Sequence, residues 1–175
     1  PHLHFSMQSG SDTILKSMGR RHTAQTVRDL VAMANNKITF SWDIICGFPG
    51  ETEELFNETL NLVHETKPIK IHAFPFSPRP DTPAAQMPNQ INRNISKQRV
   101  KAISDAANKN KADFMQTQIG NIVQVLVEEN NIARDPHDIS VKIGGETITA
   151  KTVCMIELVD ICGDSFVGRI KRLDK

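Results

Sequence analysis

The sequence contains no tyrosine, one tryptophan and three cysteines. Cys46, Cys154 and Cys162 are odd in number and form no C-x-x-C pair, so we expect no disulfide scaffold and a reducing, cytoplasmic location. Cys154 and Cys162 lie in apolar runs typical of strands, which predicts buried and unreactive thiols. No apolar run reaches 18 residues, and the sequence therefore predicts no membrane-spanning helix.

Low-complexity tracts, internal repeats and a signal-peptide pattern are also absent. Residue 1 is proline, and residues 1–11 already have the pattern of a strand and its loop, which is typical of a chain that begins within a domain. Of the 175 residues, 39% are hydrophobic and 23% charged. This composition is typical of a soluble globular protein, and the length allows either one sizeable core or a partial domain with a small second one.

The charges are unevenly distributed, although the net charge is only +1. Residues 67–111 contain nine basic and two acidic residues, whereas residues 119–175 contain seven basic and nine acidic residues. A basic middle stretch is expected of a surface that binds a polyanion such as RNA, or of a solvated helix face. Charge alone leaves both interpretations open.

Short strands alternate with helices in the first half of the sequence. Apolar patterns predict strands at residues 2–7, 38–46 and 69–76, and helices with N-caps at Asp12, Thr23 and Thr52. Such alternation forms βαβ units with a parallel sheet. Because three units are too few for an eight-stranded barrel, the sequence predicts an α/β fold with half a barrel.

A long helix is predicted over residues 94–118, and the composition changes after it. Residues 122–172 are rich in valine and isoleucine, with turn signals at residues 130–131, 135–136, 144–145 and 163–164. Four or five short strands at this spacing predict a small all-β barrel. The predicted domains are therefore residues 1–118 and 119–175.

Small and polar loops follow the three predicted strands, at residues 8–12, 47–51 and 77–82. Ligands of parallel α/β folds bind at the carboxyl ends of strands. We therefore expect the three loops to line one pocket, in which Gly10, Gly47 and Gly50 would let the backbone approach a ligand closely. The spacing does not identify the ligand.

Three motifs occur in order along the chain: PHLHFSMQSGSD at residues 1–12, DIICGFPGETEE at 43–54, and FSPRP with TPAA within 76–85. Together they resemble the radical S-adenosylmethionine (radical SAM) methylthiotransferases that modify tRNA. VLVE at residues 125–128 is similar to the start of a TRAM domain, a small RNA-binding barrel. The resemblance implies that residues 1–118 are the C-terminal half of a radical SAM (partial TIM-type) barrel with a linking helix, and that residues 119–175 are a TRAM-like β-barrel.

The resemblance also implies an activity: the transfer of a methylthio group to carbon 2 of a hypermodified adenosine next to the anticodon. S-adenosylmethionine and two 4Fe–4S clusters are the implied cofactors, and tRNA, a sulfur donor and an electron donor are the implied partners. None of the six cluster cysteines is in this chain, so the chain alone is expected to be inactive.

Two features are most similar to the threonylcarbamoyladenosine branch of the family, namely the segment at residues 70–77 and the pair Arg20 and Arg21. The alternatives are the isopentenyladenosine branch and a cluster-free RNA-binding module on the same scaffold.

By the same resemblance, nine residues would contact S-adenosylmethionine: Gln8, Ser9, Gly10, Ser11, Ile45, Gly47, Phe48, Glu51 and Arg79. The loop that begins with Gln8 would meet the ribose and the methionyl end, and the loop that follows Ile45 would meet the adenine. Glu51 would orient its loop, bind the cofactor or only favour the helix dipole. Arg79, at the pocket rim, would bind the cofactor carboxylate or a tRNA phosphate.

The remaining candidates are polar residues outside these loops. Asp43 is either an acid of the pocket or a strand-edge residue. Five cations would bind tRNA phosphates: Arg20, Arg21, and, at a helical spacing of four, Arg93, Lys97 and Lys101. The histidines of the strands (His2, His4 and His72) are interpreted as barrel-interior or hydrogen-bonded side chains, and no metal ligands are predicted. Asp81 stands where the family usually has glycine.

Overall fold

The structure, a computed structural model, describes residues 1–35, 37–145 and 147–171. The chain forms two compact units. One comprises Leu3–Lys111, and the other comprises the described residues from Ala112 onward together with Pro1 and His2. In the described part of the chain, no helix is both long and apolar enough to cross a membrane.

The first unit is a mixed α/β structure. Its elements are β1 (His2–Gln8), α1 (Asp12–Ser17), α2 (Ala24–Ala34), β2 (Thr39–Cys46), α3 (Glu53–Thr66), β3 (Lys70–Pro75), α4 (Pro83–Gln86) and most of the long helix α5 (Arg93–Gln118). His2 and the residues of α5 from Ala112 onward belong to the other unit. The described strands form a sheet in the order β1-β2-β3. β2 and β3 are parallel, with Asp43 opposite His72 and Ile45 opposite Phe74. The predicted parallel pairing is confirmed for this pair.

The two faces of the sheet differ in character. Alternate residues of the central strand β2 are at most 4% exposed, and they pack with residues of α2, α3 and α5 in one core: Phe40, Trp42, Ile44 and Cys46. Burying one large apolar side chain contributes about 1.5–3 kcal/mol. Because side chains alternate along a strand, Ser41, Asp43 and Ile45 lie on the face away from this core. That face carries the candidate site.

Threonine caps begin two of the helices, as predicted. The Thr23 side chain accepts a hydrogen bond from the Thr26 backbone in a capping box, and Thr52 accepts one from the Leu55 backbone. The prediction for Asp12 is wrong, because Asp12 is the first residue of α1 and Ser11 is its N-cap. Instead, the Asp12 carboxylate accepts the backbone N–H of Ala24 at 2.7 Å and satisfies the first turn of α2.

The second unit contains a closed β-barrel. Its described strands are β4 (Ile122–Val127), β5 (Ile132–Arg134), β6 (Ser140–Ile143), β7 (Val153–Cys162) and β8 (Ser165–Ile170). They pair in the order β4-β5-β6-β8-β7, and β7 returns to β4. Val141, Leu158 and Phe166 are fully buried. The predicted small all-β barrel is confirmed.

The three cysteines are free and differ in exposure: Cys46 is buried, Cys154 is half-buried and Cys162 is exposed. The prediction of a buried thiol is therefore wrong for Cys162. The pairing of β7 with β8 shifts between Leu158 and Asp160. Such a bulge reverses which residues point inward, so that the end of β7 turns Cys162 towards solvent.

Candidate functional site

An open cleft lies at the carboxyl ends of β1, β2 and β3. Its larger part, of about 680 Å³, is lined by residues that include Gln8, Asp43, Ile45, Phe74, Phe76 and Arg79. An adjoining part, of about 410 Å³, shares Gln8 and Ile45 and extends to Met18, Arg20, Phe48 and Met87. We refer to both parts together as the cleft. The volume of each part is in the range of small-molecule sites, about 300–1,000 Å³.

The cleft separates the nine predicted cofactor residues into two groups. Gln8, Ile45, Phe48 and Arg79 line it. Within the part of the chain that the structure describes, the other five are not among the lining residues: Ser9, Gly10, Ser11, Gly47 and Glu51. All five make hydrogen bonds that shape the loops behind the cleft wall.

Gln8 has an unusual backbone conformation for its residue type. Its φ angle is 69°, in the left-handed region that favours glycine. A non-glycine residue there costs on the order of 1–3 kcal/mol, and such residues concentrate at ligand sites. Among the described residues, no hydrogen bond is found for the Gln8 side-chain amide, although Gln8 is only 7% exposed. The amide is therefore available to a ligand in the cleft.

The β1 loop (residues 8–11) is attached to helix α3 through Thr59. The Thr59 hydroxyl accepts the Gly10 backbone N–H at 2.9 Å and lies 3.2 Å from the Ser9 hydroxyl. A Cβ atom on Gly10 would lie 2.6 Å from the Thr59 Cα. Glycine is thus required for packing against α3. Thr59 was not identified as a functional residue from the sequence. The only indication in the sequence was its position on the predicted inward face of α3, where a polar residue is unexpected.

The β2 loop (residues 46–51) is organised by a buried ion pair. The Glu51 carboxylate accepts the Gly47 backbone N–H at 2.6 Å and the Arg99 guanidinium at 2.8 Å. The side chains of Glu51 and Arg99 are 2% and 7% exposed. Burial raises the pKa of the Glu51 carboxyl, and the hydrogen bond from Gly47 and the nearby Arg99 charge oppose that shift.

Of the three roles considered for Glu51, its contacts therefore correspond to the first: Glu51 orients the β2 loop. The first turn of α3 is instead occupied by Glu53 and Glu54. Gly47 itself contacts α5, because a Cβ atom on it would lie 1.9 Å from the Ser96 hydroxyl oxygen. The glycine leaves room for α5 behind the cleft wall.

Asp43 lines the cleft and accepts hydrogen bonds from neighbouring side chains. The Ser6 hydroxyl donates to its carboxylate at 3.1 Å, and the same oxygen lies 3.3 Å from His4 Nε2. The other ring nitrogen of His4 lies 2.8 Å from the Ser41 hydroxyl. Since β2 is the central strand, the strand-edge interpretation of Asp43 is wrong, and the interpretation of His4 as a hydrogen-bonded histidine is confirmed.

Comparison with known proteins gives consistent results. The sequence model of the radical SAM superfamily matches residues 1–63. The chain is 41% identical over 146 residues to a threonylcarbamoyladenosine tRNA methylthiotransferase, MtaB, of Rickettsia prowazekii, an alignment that covers 82% of this chain and 34% of that protein. It is 35% identical over 179 residues to a tRNA-2-methylthio-N(6)-dimethylallyladenosine synthase of Erythrobacter litoralis, which covers 97% of this chain and 40% of that protein.

Over most of its length, the chain is similar to radical SAM methylthiotransferases. It spans 34% and 40% of the length of these two relatives. The similarity includes both motifs that form the β1 and β2 loops. The ends of β1 and β2 and the loops that follow them therefore lie within the residues that match the radical SAM superfamily.

Radical SAM proteins use S-adenosylmethionine and a 4Fe–4S cluster, and the residues of this chain fit the first of these. The cleft offers the free amide of Gln8, the ring of Phe74, which is 53% exposed, and the Arg79 guanidinium. The described residues do not fit a cluster, because they contain no group of three or more His, Cys, Asp or Glu side chains placed to bind a metal ion.

The cations that the sequence predicts to bind tRNA are all exposed: Arg20, Arg21, Arg93, Lys97 and Lys101. Arg20 lines the cleft. Arg93, Lys97 and Lys101 lie on the solvent side of α5, where Lys101 pairs with Asp105. Arg99, from the same basic stretch, is buried instead, a difference that charge counting does not reveal.

Asp81, where the family resemblance leads us to expect glycine, has a φ angle of 63°. Aspartate adopts this left-handed conformation more readily than most residues. The β3 loop (residues 77–82) thus retains, at Asp81, a backbone conformation that glycine adopts freely.

Proposed function

We propose that this chain supplies part of a radical SAM methylthiotransferase that modifies the threonylcarbamoyl-adenosine next to the anticodon of a tRNA. Residues 1–118 would be the C-terminal half of the radical SAM barrel with its linking helix, and residues 119–175 a TRAM-like RNA-binding barrel. The observation that supports this function best is the cleft, in which Gln8, Phe74 and Arg79 come together at the carboxyl ends of the strands.

Within this proposal, S-adenosylmethionine binds in the cleft, and it supplies the radical chemistry of the family when a reduced 4Fe–4S cluster is beside it. Gln8 offers an amide, and Ile45 and Phe48 offer apolar surface for a purine. Both clusters are bound outside this chain, so the chain alone is inactive. The contribution of these residues is to hold the target and the cofactor side by side.

Arg79 supports the threonylcarbamoyl branch. The threonylcarbamoyl group carries a carboxylate, whereas the isopentenyl group is neutral and apolar. Arginine binds carboxylates through paired hydrogen bonds, and in the described structure no acidic side chain pairs with Arg79 or Arg20 on the cleft. The apolar lining at Met18, Phe48 and Met87 favours the isopentenyl alternative, so the two branches make different predictions for Arg79.

The test uses the enzyme that carries this chain, with its clusters reconstituted anaerobically. Methylthiolated nucleosides are measured by mass spectrometry on tRNA bearing either modified adenosine. The parent should act on the threonylcarbamoyl substrate, and Arg79→Ala should lower kcat/KM for it by about 10- to 100-fold, since a charge-assisted hydrogen bond is lost. Lys37→Ala, at the amino end of β2, is the matched control and should have no effect.

Activity on isopentenyl-adenosine alone, unaffected by Arg79→Ala, would replace this branch with the other. If the complete reading frame contains no C-x-x-x-C-x-x-C motif and neither tRNA is modified, the chain is a cluster-free RNA-binding module.

We also propose that the exposed face of α5 binds tRNA phosphates through Arg93, Lys97 and Lys101. Lys101 already pairs with Asp105, so its contribution should be the smallest. Replacing all three with alanine should reduce the slope of log affinity against log salt by about 2 units. Filter binding at several salt concentrations measures this slope. An unchanged slope would show that the exposed face of α5 is only solvated and does not contact tRNA.

A further inference from the structure

Arg99 makes more contacts than a surface cation of a long helix would. Its guanidinium donates to the backbone carbonyl and the carboxylate of Glu51, both at 2.8 Å, and to the Glu53 carboxylate at 3.1 Å. It also lies over the Phe56 ring, 5.1 Å from the centroid. A side chain that is only 7% exposed and bonded in three directions is fixed in place.

The contacts of Arg99 lead directly to the cleft wall. Glu51, which it binds, accepts the Gly47 backbone N–H, and Phe48 is the next residue. Phe48 lines the cleft and stacks edge-on against Phe76, with ring centroids 5.2 Å apart. Any shift of the β2 loop therefore moves both Phe48 and the aromatic wall behind it.

We propose that Arg99 is a positioning residue for S-adenosylmethionine: from helix α5 it fixes the β2 loop, and thereby Phe48, in the conformation that forms the cofactor side of the cleft. This inference rests on the proposed function, because it takes the cleft to be the cofactor site. Arg99 does not line the cleft and touches no ligand; it acts through Glu51 and Gly47.

Two physical arguments support this role. Without Arg99, the buried Glu51 carboxylate would lose its compensating charge, and it would either take up a proton or draw water into the loop. The guanidinium also bonds three acceptor atoms while stacking on a ring, which the compact ammonium of lysine cannot reproduce. Ser96, one turn earlier on α5, packs against Gly47, so the same helix confines the loop at two points.

The first arm of the test follows the loop through Cys46, which immediately precedes Gly47. In a Cys154→Ser, Cys162→Ser background of this chain, Cys46 is the remaining thiol. It is 1% exposed, and burial raises its pKa to about 12, so labelling by a thiol reagent at pH 8 should be slow. Arg99→Met should accelerate labelling by about 10-fold or more. Lys97→Met, an exposed cation two residues away, is the control and should not.

The second arm measures S-adenosylmethionine binding by equilibrium dialysis in the cluster-loaded enzyme that carries this chain. Arg99→Met should raise Kd for S-adenosylmethionine by about 10-fold or more and leave Kd for tRNA unchanged. Arg99→Lys should lie between parent and Arg99→Met in both arms, and it decides the matter if Arg99→Met fails to fold by circular dichroism.

Labelling of folded Arg99→Met at the rate of Lys97→Met would overturn the proposal, since the loop would then be fixed without Arg99. Faster labelling with an unchanged Kd for S-adenosylmethionine would also overturn it, because Arg99 would then stabilise the loop without serving the cofactor. A parent enzyme that binds no S-adenosylmethionine would instead refute the proposed function, and the labelling arm would still show whether Arg99 fixes the loop.

Discussion

The β2 loop and the β3 loop both border the cleft, yet they are built in opposite ways. The β2 loop is buried and is bonded through Glu51 to Arg99 of α5. The β3 loop is exposed, rich in proline, and carries Arg79 without an ion-pair partner among the described residues. The β2 loop is thus fixed by the protein core, whereas the exposed β3 loop presents Arg79 at the rim of the cleft. A fixed β2 loop is what we expect for binding a cofactor that the whole family shares. An exposed β3 loop is what we expect for binding a substrate group that differs between branches of the family.

The largest effect is expected for Gly47→Val in the isolated chain, which tests whether the β2 loop is fixed by its packing against α5. The new side chain would collide with Ser96, and the φ angle of 81° would add strain. We expect a loss of about 3 kcal/mol or more in the free energy of unfolding of the first unit, measured by urea denaturation.

Gly19→Ala is the matched control for Gly47→Val. Its φ angle of 72° is similar, but nothing lies within 4 Å of the added Cβ, so only the backbone cost of about 1 kcal/mol should remain. Equal losses in the two variants would show that α5 does not confine the β2 loop.

A smaller effect is expected for Thr59→Val, which keeps the shape of the side chain and removes the acceptor of the Gly10 N–H. A buried donor left without a partner costs about 1–3 kcal/mol. The same denaturation measurement applies, with Thr117→Val, an exposed hydroxyl of α5, as the reference. A loss no larger than that of Thr117→Val would mean that the β1 loop does not depend on α3.

The smallest effect is expected for Arg79→Ala, whose side chain contributes to the rim of the cleft and not to the core. Its free energy of unfolding should stay within about 0.5 kcal/mol of the parent. This result, beside the loss of activity expected in the enzyme, would separate the ligand-binding rim from the structural wall. A destabilisation comparable to that of Thr59→Val would remove the distinction between the two loops.

Local patterns in the sequence predicted those features that depend on interactions between residues close together in the chain. Thr23 and Thr52 were found because a helix N-cap bonds backbone groups two or three residues away. The valine-rich and isoleucine-rich runs of the second unit were sufficient to predict a small barrel. Gln8, Ile45, Phe48 and Arg79 were placed at one site by their positions after predicted strands and by the family motifs.

The remaining features depend on contacts between residues far apart in the chain. Asp12 caps a helix that begins twelve residues later, and Arg99 binds a carboxylate 48 residues earlier. Neither partner is visible in a periodic pattern, and Arg99 is hidden among cations that do face solvent. The exposure of Cys162 likewise follows from a bulge, which alternation along a strand cannot predict.

The order of strands in the two units has a consequence for self-association. The described barrel strands close on themselves and present no open edge. In the sheet, β1 and β3 are the outer strands, and they carry Leu3 and Phe74, which are 45% and 53% exposed. Outer strands with exposed apolar residues are templates for pairing with another chain. Aggregation of the purified 175-residue chain by strand pairing should therefore begin at the sheet, and charged substitutions at Leu3 should reduce it.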